Sequence, residues 1–270
     1  MRARSVPRKH REHRWLYLFL CALCVSVVKL SFWPAHAADR VVSLNLCTDQ
    51  MLVLLAPEKI AALSPLARDP SLSYFAERAA HLPTVRASAE AVLRLHPDLV
   101  LAAPYGAQTT LALLAQEHIP QLRILLPQDF AGVRAMTRLL ASALGVAQRG
   151  EALIAAMDAR LAALPRPERS VRALVWEPRG LTAGPGTLMD AVVNAAGLDN
   201  GSDGRSVGVE ALLRRPPDLL IVPTDPAYPS LATELLDHPA LAHLRRRAIP
   251  PALTICAAPF NAEAAAMLAQ

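Results

Sequence analysis

The sequence predicts an α/β protein of two Rossmann-like lobes with mostly parallel sheets, joined by a long connecting helix. Three observations carry that prediction. One phrase of helix, Pro-Asp and strand occurs twice; strands and helices alternate within each half; and a stretch of helical periodicity separates the halves. The phrase SAEAVLRLHPDLVL, from Ser88 to Leu101, returns as VEALLRRPPDLLIV, from Val209 to Val222. Glu90 aligns with Glu210, Arg94 with Arg214, Pro97 with Pro217 and Asp98 with Asp218, each pair 120 residues apart. A gapless match at one large offset marks two copies of a folding unit.

The elements follow in order. Arg40 to Leu44 reads as a strand, and Asn45 to Asp49 turns into a helix over Gln50 to Leu55, with Thr48 or Asp49 as its N-cap. Ile60 to Leu63 is a second strand, Ser64 to Ser73 a polar loop and Tyr74 to Ala80 a short helix. In the first copy of the phrase, apolar residues at 91, 92 and 95 make a helix face, and Leu99 to Ala102, bounded by Pro97 and Pro104, is a buried strand. The loop Ala103 to Gly106, a helix over about Thr109 to Glu117 and a strand in Ile119 to Leu126 complete the half.

From Phe130 to Leu164 apolar residues recur at helical spacing, with a break marked by Gly145 and Gly150. The second of these helices, about Ala147 to Ala163, is the natural connector, ended by Pro165-Arg166-Pro167. Val171 to Trp176 is then a strand, Gly184-Pro185-Gly186-Thr187 introduces a helix over Leu188 to Ala196, and Leu198 to Val207 is a loop. After the second copy, Leu231 to Leu235 and Pro239 to Leu244 are helical, Ala252 to Cys256 a last strand and Asn261 to Gln270 a last helix. The expected division is an export signal over 1–37, a first lobe over 38–128, connecting helices over 129–168 and a second lobe over 169–270.

The net charge of +5 and isoelectric point near 9.3 belong to the N-terminus. Arg2, Arg4, Arg8, Lys9, Arg11 and Arg14 form a basic region, Trp15 to Val28 an apolar one, and Ala35-His36-Ala37 fits a signal-peptidase site. The apolar run is short against the roughly 20 residues of a spanning helix, and no small residue precedes Cys21 or Cys24 as lipidation would require. Seven of the 28 Lys and Arg and one of the 23 acids lie in residues 1–37, leaving 21 bases against 22 acids in the mature chain. That balance removes the case for a nucleic-acid partner. Cys47 and Cys256 remain in an oxidising setting that permits a disulfide. They stand near opposite ends of the mature chain, so two buried free thiols are the alternative to a bridge that needs Cα atoms within about 6 Å.

No phosphate-binding G-x-x-x-x-G-K-[ST], G-x-S-x-G or H-E-x-x-H motif is present. His81, His96, His118, His238 and His243 lack zinc-ligand spacing, so no metal site is predicted. Gly184 to Thr187 reads either as a plain turn or as backbone N–H groups offered to an anion. Glu90 and Glu210 each open the helix of their copy, where the helix dipole favours an acid by roughly 0.3–1 kcal/mol. Two acids at equivalent places on two lobes also make matched points for a two-fold partner.

With the export signal, the strand RVVSLN and the connecting helix, the paired phrases AEAVLRLHPDLVLA and VEALLRRPPDLLIV resemble the periplasmic binding proteins of iron-siderophore, haem and vitamin B12 ABC importers. The resemblance covers essentially residues 40–270. It implies a bilobed clamshell bridged by a rigid helix, a ligand held between the lobes, no catalysis, and two lobe-tip glutamates that dock on arginines of a dimeric inner-membrane permease. Glu90 and Glu210 occupy those positions. It further implies a metal chelate as ligand, a ferric siderophore first, with cobalamin or haem as alternatives. The mature protein is expected to be monomeric and periplasmic, without a resident cofactor. An exported α/β enzyme using the same cleft is the rival, disfavoured by the missing nucleophile–base pair.

Ligand contacts are expected from loops at the C-terminal edges of the strands. These nominate Asn45, Cys47, Thr48, Arg68, Tyr74, Arg86, Tyr105, Trp176, Arg179, Asp203, Thr224, Asp225 and Phe260. Aromatic side chains would pack on a macrocycle or catechol, Arg86 and Arg179 would pair with carboxylates, and Tyr74, Tyr105 or His81 would serve as an axial ligand to haem iron. Trp176 is the one tryptophan left after processing, a thin aromatic complement for a cobalamin binder.

Overall fold

The computed structural model describes residues 37–224, 234–235 and 238–270. The first of two sheets holds β1 (Val41–Ser43), β2 (Ile60–Ala62), β3 (Leu99–Ala102) and β4 (Gln121–Arg123). The second holds β5 (Arg172–Val175), β6 (Asp199–Asn200), β7 (Leu219–Pro223) and β8 (Arg246–Ile249). Every pairing is parallel and the order is β2-β1-β3-β4 in one sheet and β6-β5-β7-β8 in the other. The repeated phrase therefore reflects a repeated topology, and the α/β bilobed reading holds. Parallel strands need crossovers. Helices α1 (Leu46–Leu55), α2 (Ala76–Ala79), α3 (Ala89–Leu93) and α4 (Gln108–Gln116) supply them in the first half, and α7 (Leu188–Ala195) and α8 (Val209–Arg214) in the second. Between the halves lie α5 (Phe130–Ala143) and α6 (Ala147–Ala162), and α9 (Asn261–Leu268) closes the chain.

Strand alternation sorts the core. Val41, Leu99 and Leu101 join a core that runs through Val133 and Leu140 of α5 and Met157 of α6 to Ala173, Val175, Leu219 and Ile221 of the second sheet. Val42, Val100 and Ala102 face a separate outer core with Val92, Leu111 and Leu114. Leu174, Trp176 and Leu220 do likewise with Leu212, Leu241 and Leu244.

The Pro-Asp of each copy has a structural task. The Asp98 carboxylate accepts the N–H groups of Asp39 at 2.8 Å and Arg40 at 3.0 Å, and Asp218 accepts the Arg172 N–H at 2.8 Å. The side chains of Arg40 and Arg172 donate in return to the carbonyls of Leu95 and Pro216. Each Asp thus pins the start of its first strand to the helix–strand junction of the phrase.

Several boundaries differ from expectation. The N-cap of α1 is Asn45, whose Oδ1 accepts the Cys47 N–H at 3.0 Å; Thr48 is buried and shares a hydrogen bond of 2.8 Å with the Ser43 hydroxyl. The chain breaks at Gly145, with φ +68°, whereas Gly150 lies inside α6. Its missing Cβ lets the two helices close up, since a Cβ there would stand 2.5 Å from that of Ala141. Ion pairs Arg134–Asp158 and Arg138–Glu151, both at 2.7 Å, cross the same interface. Ala252 to Cys256 is not a strand. Pro250 and Pro251 lack the N–H a ladder needs, and the chain makes a 3₁₀ turn at Pro251–Leu253 while Arg246–Ile249 forms the edge strand. The helix expected over Pro239 to Leu244 is a 3₁₀ turn, Pro239–Leu241. The export signal up to residue 36, Asp225 and most of the helix expected over 231–235 lie outside the described residues.

Candidate functional site

The C-terminal edge of β1 leads through Asn45 into α1, and there the halves are stapled. Cys47, at the second residue of α1, is bridged to Cys256 across 209 residues, with the Cα atoms 5.1 Å apart. The disulfide settles the open alternative and removes Cys47 as a free thiol; both cysteines are buried. Beside it, Tyr74 stacks on Phe260 at 4.9 Å between ring centroids, and Phe75 meets Phe260 edge-on at 5.6 Å. Tyr74 keeps 43% of its surface exposed while Phe260 is buried. Two nominated residues from opposite halves are thereby brought together, one facing solvent and one supporting it.

The loop that carries Tyr74 is fastened from below by α1. Gln50 Oε1 accepts the Tyr74 N–H at 2.8 Å. One residue earlier, the wholly buried Asp49 accepts the Ser64 N–H at 3.0 Å and the Ser64 hydroxyl at 2.5 Å. Burial pushes its carboxyl up to about 7, against bonds from Ser43 and Ser64 that lower it. Asp49 is thus a buried anchor rather than the helix cap its position suggests, and Gln50 carries no sequence signal that marks its role.

An apolar hollow lies in the second half. A pocket of about 330 Å³ opens at the C-terminal edges of β5, β7 and β8, walled by Val175, Met189, Ile221, Val222, Ile249 and Ile255, with Thr224, Thr254 and Glu177 as its polar groups. Ile255 precedes the bridged Cys256, so the pocket adjoins the staple. Among the described residues, Thr224 is the one nominated residue that lines it. Trp176 does not: it is fully buried, and its indole N–H donates to the Val207 carbonyl at 2.8 Å. Period-two alternation explains both facts. Trp176 shares the outer face of β5 with Leu174, and Glu177 continues the pocket face of Val175. Glu177 is half-buried, and desolvation alone raises its carboxyl above the ordinary range.

The turn behind Glu177 is fixed in place. Glu177 N–H donates to Leu181 O at 2.8 Å and Gly180 N–H to Glu177 O at 3.0 Å. Arg179 and Gly180 both adopt positive φ, 65° and 72°. Gly180 is required, since a Cβ would lie 2.6 Å from the Val207 carbonyl oxygen that receives the Trp176 indole.

The other nominated residues are dispersed. Asn45 is taken up as a helix cap and Arg68 by the Leu82 carbonyl at 2.6 Å. Arg86, Arg179 and Tyr105 stand exposed on separate loops. Asp203 accepts the Arg205 N–H at 3.1 Å in a loop packed against Gly184. The anion seat at Gly184 to Thr187 is filled internally, because the Gly186 N–H donates to Asp190 Oδ2 at 3.1 Å. Glu90 and Glu210 occupy the exposed first turns of α3 and α8, and Glu90 pairs with Arg94 at 2.7 Å. Among the described residues no three His, Cys, Asp or Glu side chains gather as a metal site.

The profile described as periplasmic binding protein matches residues 41–248. Comparison with curated protein sequences returns no significant match. Among solved structures, the apo periplasmic heme-binding protein RhuT from Roseiflexus sp. RS-1 is 26% identical, with 86% of this chain and 97% of that chain covered at a TM-score of 0.68. An ABC-type Fe3+-hydroxamate transport protein from Saccharomonospora viridis is 18% identical over 86% of this chain and 92% of its own, at 0.62. The vitamin B12 binding protein BtuF of Vibrio cholerae is 17% identical over 86% and 95%, at 0.60. The latter two likenesses are of fold. The family and these relatives are solute-binding proteins rather than enzymes. By its matched profile, its two parallel sheets and the helices between them, the chain belongs to the periplasmic binding protein family of ABC importers.

Proposed function

We propose that this protein captures a metal chelate, a ferric siderophore before haem or cobalamin, between its two lobes in the periplasm and delivers it to a dimeric permease. The observation that supports a chelate is the 330 Å³ apolar pocket at the strand edges, adjoining a seam that presents Tyr74. Apolar walls with a few placed polar groups suit an organic ligand shell better than a bare ion. The staple and the shared core at the base of the halves favour capture with little closure. Glu90 and Glu210, exposed on the equivalent helices α3 and α8, would meet equivalent sites on the two permease subunits. ATP-driven permease motion would then spread the lobes.

The test has two arms. Native mass spectrometry and absorbance spectra of the mature protein with ferric siderophores, haemin and cyanocobalamin should show one-to-one binding of a chelate; binding of none rejects the reading. Glu90→Ala and Glu210→Ala should leave that affinity within about twofold while lowering uptake in cells. Loss of affinity in the purified variants would sink the docking role.

A further inference from the structure

Glu177 is out of character with its surroundings. The pocket wall is otherwise built from aliphatic side chains, Met189, prolines and threonine hydroxyls, and no Lys, Arg or His lines it among the described residues. Residues 225–233, which follow Thr224 in the chain, include none either. Arg179 stands two residues away, but it is exposed, does not line the pocket and makes no ion pair with Glu177 among the described residues. Nor is the carboxyl mobile by default. Its backbone is held on both sides by the Leu181 and Gly180 hydrogen bonds, and the preceding Trp176 is locked to Val207.

A half-buried carboxylate on a rigid turn, with no cation opposite, loses solvation unless a ligand supplies a donor. We infer that Glu177 is a specificity-determining residue that selects chelates presenting an N–H donor, amide or ammonium, and disfavours chelates presenting carboxylate or catecholate oxygens to this wall. This deepens the proposed function and rests on it. At about 330 Å³ the pocket is at the small end of ligand sites, so it receives one edge of the chelate rather than the whole. An N–H at that edge completes the carboxylate's hydrogen bonding. An anionic group there meets a second negative charge in a site of reduced dielectric. A linear hydroxamate siderophore with free ammonium and amides offers this chemistry, and so does a corrinoid with amide side chains; the shared requirement is the donor.

The experiment compares wild type with Glu177→Gln and Glu177→Leu at pH 8, to keep the carboxyl ionised. Four probes are titrated by tryptophan quenching and calorimetry: ferrioxamine B, cyanocobalamin, haemin and a ferric tris-catecholate. Wild type should favour one of the first two over both of the others, and which of the two identifies the source of the donor. In both variants the ratio of affinities should shift toward haemin or the tris-catecholate by about tenfold or more, the worth of a hydrogen bond to a charged group. Ratios unchanged within about threefold, or a wild-type preference for the carboxylate- or catecholate-bearing probes, would overturn the inference while leaving the chelate reading intact. Binding of none of the four would reject both.

Discussion

Breaking the Cys47–Cys256 bridge should cost this protein a large share of its stability. The bridge closes a loop of 209 residues. In the chain-entropy treatment a cross-link of that span removes enough freedom from the unfolded chain to stabilise the native state by about 5 kcal/mol. Typical domains are stable by only about 5–15 kcal/mol, so the loss would be a third or more of the total. The double variant Cys47→Ala/Cys256→Ala and wild type reduced with dithiothreitol make a useful pair. Reduction leaves both sulfur atoms to pack, while the variant also empties part of a buried site. Urea unfolding of the mature protein, followed by the fluorescence of Trp176 and by far-UV circular dichroism, reads both. Trp176 is the single tryptophan beyond residue 37 and is wholly buried in the second lobe. A loss of less than about 1 kcal/mol on reduction would refute the argument that the bridge acts on the unfolded chain.

Two further outcomes follow from buried groups. Asp49 titrates near 7 in the folded protein against 3.8 as the ordinary value, so the native state holds its proton more tightly than the unfolded state does. Its contribution is therefore fully present below about pH 4 and is lost as pH rises toward 7, by a few kcal/mol in all. Asp49→Asn should remove that loss, and the variant's advantage over wild type in chemical denaturation should grow from pH 4 to pH 7.5; an advantage constant with pH would contradict the assignment. Gly180→Ala should lower stability by about 2 kcal/mol or more, from the left-handed φ and the contact with Val207 O. That is a fall of about 4–8 °C in melting temperature by calorimetry, and an unchanged melting point would show that the turn yields easily.

The fold was legible in the sequence because its information was repeated. The phrase with Glu90 and Asp98, returning with Glu210 and Asp218, announces two lobes and two buried strands, and the apolar run Leu99 to Ala102 between Pro97 and Pro104 marks the first of them. The edges were less visible. β8 reads Arg-Arg-Ala-Ile, and a strand with one neighbour tolerates charge on its open side, whereas the apolar Ala252 to Cys256 resembles a strand until its leading prolines are weighed. The site was only partly legible. Thr224 directly follows β7 and faces the pocket, whereas Trp176 directly follows β5 on the outer face it shares with Leu174, so a place after a strand end does not by itself put a side chain in the pocket. Tyr74 and Phe260 meet although neither directly follows a strand. Glu177, the residue after Trp176, takes the pocket face instead. The Cys47–Cys256 pairing needed three dimensions, since chain separation hides proximity.

The core that runs unbroken from β1 and β3 through α5 and α6 to β5 and β7 has a mechanical consequence. The molecule is one solid at its base and two plates only toward its rims. Displacement of the plates grows with distance from that base, so a tilt too slight to disturb the disulfide still moves the outermost loops appreciably. α3 and α8 stand away from that base, packed on the outer cores, and a pull applied there has a lever arm. On the proposed docking role of Glu90 and Glu210, a permease grasping the two helices would act at the far end of that arm, where the least force tilts the rims.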